Sequence, residues 1–174
     1  MVAELIQLKG TNMITQESLK QLFDYHPNGY FVRKKTGKAV VCSPTKGHRY
    51  LKIFIAGKSE SLHRMIFLHQ HGYLPKCLDH IDGNRENNKI ENLREVTQQQ
   101  NCLNSKHRTT SKSPYKNVYL QPPTKNPEWK RNWVVSLMIN GTRKYIGSFE
   151  DVELADLVAH EARDKFHGQY ARHF

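Results

Sequence analysis

The sequence is short of the features that mark secreted, membrane-spanning and zinc-structured proteins. Its three cysteines stand far apart, and none belongs to a C-x-x-C pair that could hold zinc. An odd number of widely spaced cysteines favours free thiols in a reducing compartment. No apolar run approaches the roughly 20 residues that a membrane helix needs. The N-terminus MVAELIQLKG lacks a basic segment followed by an apolar one, so a secretory signal is not expected.

The chain has an excess of positive charge, with 27 Lys and Arg against 16 Asp and Glu in 174 residues. Residues 1–60 have 10 basic against 4 acidic residues, and residues 102–148 have 9 against 1. The stretch 61–101 between them is balanced at 5 of each, and residues 149–174 are acidic. Two concentrated basic blocks favour a polyanionic partner, most simply nucleic acid, over a generally basic soluble protein.

The first third of the chain predicts a short helix and a small antiparallel sheet. Residues 15–24 have apolar residues at helical spacing, and Thr15 is the expected N-cap. Turn residues separate three segments rich in aromatic and β-branched residues, which is typical of strands. These strands are expected at residues 29–35, 49–56 and 59–63.

The middle of the chain predicts a helix over 62–71, then the order strand, loop, strand, helix. The short strands are expected around 77–79 and at 93–96. Thr97 is a good N-cap for a helix that runs to about residue 106. The polar and basic stretch 105–114 predicts a linker.

Beyond that linker, the sequence predicts three strands and one amphipathic helix. Strands are expected at 116–120, 133–139 and 142–149, with a type I′ turn at Asn140-Gly141. Residues 150–167 repeat apolar residues every three or four positions, as a helix does. The predicted fold class is therefore α+β, with a domain at 1–107 and a second, sheet-and-helix domain at 108–174.

The stretch LDHIDGNRENNKIENLREVTQQQN, residues 78–101, is crowded with polar groups that suit phosphodiester hydrolysis. Such chemistry needs an activated water, neutralisation of phosphate charge and support for the leaving oxygen. His80 can act as a base, and Asp79 offers an oxygen ligand to a hard cation such as Mg²⁺ or Mn²⁺. Asn101 could supply a second oxygen if its helix packs against the strands.

This stretch resembles the HNH (ββα-metal) nuclease motif of phage and homing endonucleases. The resemblance implies that His80 is the general base and that Asp79 and Asn101 bind one divalent ion, with no structural zinc. It implies that Asn92 braces the loop and holds the His80 ring in orientation. The neighbouring amides of Asn84, Asn87 and Asn88 could form turns or share that role. His63 and Arg64 could contact a phosphate or simply begin a packed helix.

Residues 113–174 resemble the plant ethylene-response-factor (APETALA-type) DNA-binding domain. The shared positions are Tyr115, Val118, Trp133, Ile139, Gly141, Ile146, Gly147, Phe149, Ala155, Ala159, Ala162, Gly168, Ala171 and Phe174. The resemblance implies that the sheet lies in the major groove of DNA and that the helix packs behind it. The DNA contacts expected from this are Lys116, Lys130, Arg131, Arg143, Lys144, Tyr119 and Tyr145, with Gln121 as a further candidate. Some positions that are arginine in the family have a residue without positive charge in this chain. The chain is therefore not expected to bind the DNA sequence that the plant domains recognise.

Together these resemblances imply a metal-dependent endonuclease that acts on double-stranded DNA. Hydrolysis is expected to leave 5′-phosphate and 3′-hydroxyl ends, and a monomer with one site is expected to nick. The gene is expected to belong to a phage or a mobile element, which places the protein in a bacterial cytoplasm. The alternatives are a DNA-binding regulator with an inactive motif and a nuclease that acts on RNA or branched DNA.

Overall fold

The structure is a computed structural model that describes residues 14–40, 42–44, 50–104, 113–122 and 131–173. The chain forms two compact units, residues 1–95 and residues 96–174, and each has its own hydrophobic core. Both units combine antiparallel strands with helices, so the predicted α+β class is confirmed. The domain boundary expected at residue 107 stays a prediction, because residues 105–112 lie outside the described ones.

The first unit begins with the helix α1 (Gln16–Leu22), which Thr15 caps as predicted. The Thr15 hydroxyl accepts a hydrogen bond from the Ser18 amide at 3.2 Å, and the Thr15 amide donates to the Ser18 hydroxyl at 3.1 Å. This reciprocal pair satisfies amides that a helix start otherwise leaves without partners. The helix is shorter than predicted, because the chain becomes extended at Phe23.

Two small antiparallel sheets follow, where the sequence predicted one. The first pairs β1 (Phe23–His26) with β2 (Tyr30–Arg33). The second has the order β3-β4-β5, formed by Ser43–Pro44, Leu51–Ile55 and Lys58–Ser61. The expectation that residues 29–35 join the same sheet as 49–56 and 59–63 is wrong. Strand β1 provides the partner instead, and it was missed because the helical spacing of 15–24 ran across its first residues.

The helix α2 (Leu62–His71) packs its apolar residues into the core of the first unit and ends at Gly72, as predicted. Gly72 has φ +82°, a left-handed conformation that glycine adopts without steric cost. The core joins residues of α1, both sheets, α2 and the last strand of the unit. Its buried members are Leu19, Phe23, Phe31, Ile53, Ile55, Leu62, Met65, Ile66, Phe67, Leu68 and Leu93.

The first unit ends with the short hairpin pair β6 (Leu78–His80) and β7 (Leu93–Glu95). The strands are antiparallel, and their register places Asp79 opposite Arg94 and His80 opposite Leu93. A polar loop joins them and closes in a single 3₁₀ turn, Ile90–Asn92, just before β7. The predicted order of strand, loop and strand is confirmed.

The second unit begins with α3 (Gln98–Leu103), which Thr97 caps as predicted. A three-stranded antiparallel sheet follows, formed by β8 (Val118–Leu120), β9 (Trp133–Ile139) and β10 (Thr142–Phe149) in the order β10-β9-β8. The helix α4 (Val152–His167) covers one face of that sheet. Its alanines at 155, 159 and 162 face Val118, Val135 and Leu137, and their small side chains let helix and sheet approach closely. The predicted sheet-and-helix arrangement is confirmed.

Among the described residues, no helix is both long enough and apolar enough to cross a membrane.

Candidate functional site

Asp79 and His80 are adjacent on β6 and therefore point to opposite sides of the strand. Both side chains are buried, with Asp79 at 9% and His80 at 3% exposure. A carboxylate and an imidazole at such exposures need polar partners, because an uncompensated buried polar group is costly. The contacts of these two residues define the candidate site.

The Asp79 carboxylate forms an ion pair across the hairpin with Arg94. Its Oδ2 accepts hydrogen bonds from Arg94 Nη2 at 3.1 Å and from Nε at 3.3 Å. The pairing follows from the β6–β7 register, which places the two residues directly opposite each other. Arg94 therefore supplies positive charge beside the carboxylate predicted to bind metal.

The His80 ring lies in a cluster with Tyr50 and His63. The His63 and His80 ring centroids are 5.1 Å apart, and Tyr50 lies 4.8 Å from His63 and 6.1 Å from His80. The guanidinium of Arg85 stands 5.1 Å from the Tyr50 centroid, within the range of a cation–π contact. Tyr50 and His63 thus lie beside the predicted base, and Arg85 contacts the Tyr50 ring.

His63 is held in the neutral form by its surroundings. It is 6% exposed, and its buried Nδ1 has no hydrogen-bond partner among the described residues. Burial lowers the pKa of His63 to about 3, with further lowering from the charges of His80, Arg64 and Lys52. His63 was expected either to contact a phosphate or to begin a packed helix. In the structure it is packed in the first turn of α2, against the ring of His80.

The His80 ring is also tied to Asn88 in the loop. His80 Nε2 and Asn88 Oδ1 are 3.0 Å apart, and Asn88 is only 1% exposed. The amide nitrogen of the same side chain donates to the Glu86 carbonyl at 3.2 Å. The sequence offered Asn88 only as one of several amides that could share the bracing role. The structure assigns it a direct contact with the ring.

Asn92, predicted to brace the loop and orient the ring, has its hydrogen bonds within the loop. Its Nδ2 donates to Asp82 Oδ1 at 2.9 Å and to the Asn87 carbonyl at 2.8 Å, and its Oδ1 accepts from the Asp82 amide. Asn87 also donates to Asp82. Burial raises the pKa of Asp82, but these amide donors outweigh it and hold that pKa below its usual range. Asp82 thus organises the turn of this loop through its hydrogen bonds to Asn84, Asn87 and Asn92.

Asn101, the second predicted metal ligand, lies on α3 in the second unit and is half-buried. Its approach to Asp79 stays a prediction. The donor chemistry fits a hard divalent cation, since Asp79 and Asn101 offer carboxylate and amide oxygens. Within the described part of the chain, no group of three or more His, Cys, Asp or Glu is arranged to hold a metal ion.

The four predicted site residues lie within one segment that matches a known family. Residues 60–103 match the family model of the HNH endonucleases. This part of the chain is similar to HNH endonucleases. The segment, called the HNH segment below, runs from β5 through α3 and includes Asp79, His80, Asn92 and Asn101. The match ends at residue 103, so the ethylene-response-factor resemblance of residues 113–174 stays a prediction.

A solved structure is also similar to part of the chain. It is described as "DNA binding and cleavage by the HNH homing endonuclease I-HmuI", at 32% identity over 46% of this chain and 49% of that one. The chain thus matches about half the length of that protein, and the TM-score of 0.37 is too low to establish a shared overall fold. None of the curated proteins compared with the chain matches it.

In the second unit, the sheet face away from α4 carries three of the residues predicted to contact DNA. The register pairs Arg143 with Met138 and Tyr145 with Ser136, while Tyr119 pairs with Val134. Paired residues share a face, and the side chains that meet α4 belong to the alternate positions. Tyr145 is 66% exposed and Tyr119 is 38% exposed. We call Tyr119, Met138, Arg143 and Tyr145 the open sheet face.

The other predicted contacts are placed differently. Lys144 is exposed but pairs with Leu137, a core residue, so it is on the α4 side of the sheet. Arg131 lines a shallow cavity with Leu120, Asn132 and Glu150. Gln121 directly follows β8, and its backbone amide donates a hydrogen bond to the Asn132 backbone carbonyl. Lys130 lies outside the described residues.

Lys116 is used within the second unit. Its ammonium donates to the carbonyls of Leu103 at 2.9 Å and Arg172 at 3.0 Å. Burial lowers the pKa of Lys116 to about 8, helped by the positive charges of Arg163 and Arg172. These contacts give Lys116 a structural role, because they join the end of α3 to Arg172, and the predicted DNA contact of Lys116 stays a prediction.

Sequence reasoning left four site residues without a specific role: Tyr50, His63, Asn88 and Arg94. The sequence placed Asp79 and Arg94, which have opposite charges, on two neighbouring predicted strands. It did not give the register that pairs them. The contacts of His63 and Tyr50 depend on how α2 and β4 pack beside β6, which no local pattern encodes.

Proposed function

We propose that the chain is a metal-dependent endonuclease that nicks double-stranded DNA through the HNH segment. The observation that carries the proposal is the family-model match over residues 60–103, within which Asp79 and a buried, hydrogen-bonded His80 stand side by side. The basic blocks on either side of this segment are suited to bind the phosphate backbone.

In this proposal His80 takes the proton of a water molecule as that water attacks phosphorus. A bond forms between the water oxygen and phosphorus, and the bond from phosphorus to the 3′ oxygen breaks. The leaving 3′ oxygen takes a proton from solvent, which gives 5′-phosphate and 3′-hydroxyl ends. A hard divalent cation, Mg²⁺ or Mn²⁺, would neutralise charge on the phosphate and the leaving oxygen. Asp79 and Asn101 would hold it.

The open sheet face and the basic residues of the second unit would bind the duplex while the first unit presents the reacting strand. Exposed tyrosines beside an arginine suit contacts to sugar, phosphate and base edges. One site per chain supports a nick by a monomer. The proposed setting is a bacterial cytoplasm, with a phage or mobile element as the source of the gene.

A plasmid assay tests the function. Purified protein with Mg²⁺ or Mn²⁺ should convert supercoiled plasmid into nicked circles, and excess EDTA should stop the reaction. His80→Ala should lose cutting but keep duplex affinity, whereas His71→Ala, a change at an exposed histidine on α2, should leave both unchanged. If His80→Ala cuts as fast as the parent, His80 is not the base.

One observation favours the second candidate, a DNA-binding protein whose nuclease motif is inactive. The Asp79 carboxylate is paired with Arg94, and a cation would have to compete with that guanidinium. This candidate predicts tight duplex binding with no cleavage in any divalent metal. Branched DNA and RNA tested beside the duplex decide whether the substrate class differs from the one proposed.

A further inference from the structure

The Asn88 side chain has a fixed orientation between two partners. The Glu86 carbonyl oxygen can only accept, so the Asn88 atom that faces it at 3.2 Å must be the amide nitrogen. The carbonyl oxygen of that amide therefore faces His80 Nε2, 3.0 Å away. The Asn88 backbone amide donates to the same Glu86 carbonyl at 3.1 Å, which anchors the residue at two points.

This orientation determines where the His80 ring carries its hydrogen. An amide oxygen can only accept, so Nε2 must carry the hydrogen that joins it to Asn88. A neutral imidazole has one N–H group, and its other nitrogen has the lone pair. In the neutral ring, the proton-accepting atom is therefore Nδ1.

The β1–β2 hairpin holds this part of the loop in place. Gly29 lies so close that a Cβ there would stand 2.6 Å from the Asn88 carbonyl carbon and from the Lys89 nitrogen. The Tyr25 hydroxyl accepts a hydrogen bond from the Ile90 amide at 2.9 Å. These two contacts lie at the Asn88 carbonyl and at Ile90, two residues further on, so the hairpin supports the backbone from which the Asn88 side chain reaches His80.

We propose that Asn88 is the positioning residue for the general base: it selects the Nε2–H tautomer of His80 and makes Nδ1 the atom that takes the proton of the attacking water. One part of this inference, the transfer of the water proton to Nδ1, rests on the proposed function. The tautomer itself is a property of the folded chain and can be measured without metal or DNA.

The first measurement reads the tautomer directly. Long-range ¹H–¹⁵N NMR of the metal-free full chain, at alkaline pH, should show His80 with hydrogen on Nε2, while His80→Ala assigns the signal. Asn88→Asp keeps an acceptor facing the ring and should keep this tautomer. Asn88→Leu has a similar shape without the acceptor and should give a mixture of tautomers. A parent chain with hydrogen on Nδ1 overturns the proposal, whichever variants fold.

The second measurement separates positioning from binding. With DNA saturating, Asn88→Leu should cut about 10- to 100-fold more slowly, the range typical when a group that orients a functional ligand is removed. Its duplex affinity should stay within about twofold, and Asn88→Asp should recover most of the rate. The matched control is Asn87→Ala, which removes a loop amide bonded to Asp82 rather than to the ring, and it should slow cutting less.

The two measurements also separate this inference from the proposed function. If the parent protein cuts no substrate in any metal but shows the Nε2–H tautomer, and Asn88→Leu loses it, the function fails and the positioning role stands. If the parent cuts and a folded Asn88→Leu cuts equally fast with an unchanged tautomer, the function stands and the positioning role is wrong.

Discussion

His80 and Asn88 are joined by a hydrogen bond of 3.0 Å between an imidazole nitrogen and an amide oxygen, both almost fully buried. The bond joins the last residue of a strand to the middle of the loop that follows it. That loop is cross-linked by its own amides and carboxylates, and the β1–β2 hairpin supports it from outside. A base held in this way keeps one orientation before any substrate arrives, which reduces the reorganisation that catalysis needs.

Arg94→Met should lower the stability of the first unit in EDTA. The change leaves the Asp79 carboxylate buried without its guanidinium partner, and breaking a buried ion pair from one side costs about 3 kcal/mol. Mn²⁺ should then stabilise the variant more than the parent, because the cation no longer competes with Arg94 for the carboxylate. Urea unfolding in EDTA and in Mn²⁺ measures both effects. Equal Mn²⁺ stabilisation in the two proteins would show that Arg94 does not oppose metal binding.

The chain should lose stability as pH falls from neutrality, and His63 should account for part of the loss. Its pKa is about 3 in the folded chain, against the ordinary histidine value of 6.5, so the unfolded chain binds the proton more readily. The stability is therefore complete above about pH 6.5 and is lost as pH falls toward the folded pKa, by about 2 kcal/mol at pH 5. His63→Phe should remove this part of the slope, as urea unfolding from pH 7 to pH 5 can show. An unchanged slope contradicts the assignment.

Gly29→Ala should destabilise the first unit more than Gly57→Ala. Both glycines have φ near +80°, so each substitution has a similar backbone cost of about 1–2 kcal/mol. Only at Gly29 would the new Cβ meet backbone atoms, at 2.6 Å, whereas nothing lies within 4 Å at Gly57. Thermal unfolding compares the two variants. Equal losses would mean that the hairpin can move away from the loop without cost.

Arg143→Gln should weaken duplex binding more than Lys144→Gln. The two changes remove the same charge from neighbouring residues, but only Arg143 belongs to the open sheet face. We expect a loss of about 1 kcal/mol, roughly fivefold in Kd, together with a salt dependence reduced by about one phosphate contact. Fluorescence anisotropy at several salt concentrations measures both. If Lys144→Gln has the larger effect, the duplex binds elsewhere on the unit.

Local patterns predicted most of the elements, because helix caps, turn residues and apolar spacing act over a few residues. Thr15 and Thr97 cap helices as expected, and the strands at 133–139 and 142–149 have the predicted bounds. The failures came where two patterns met. Helical spacing through residue 24 concealed β1, and the pairing of β2 was therefore assigned to the wrong sheet.

The sequence by itself determined which residue types could do the chemistry: a histidine beside an aspartate, amide-rich loop residues and two basic blocks. Only the tertiary structure decided their partners. The β6–β7 register put Arg94 on Asp79, the packing of α2 put His63 against His80, and the loop put Asn88 rather than Asn92 on the ring. The tertiary structure likewise decided that Lys116 donates hydrogen bonds to two backbone carbonyls of its own unit. Residue type limits the bonds that a group can make, but the bonds it does make depend on distances between segments remote in sequence.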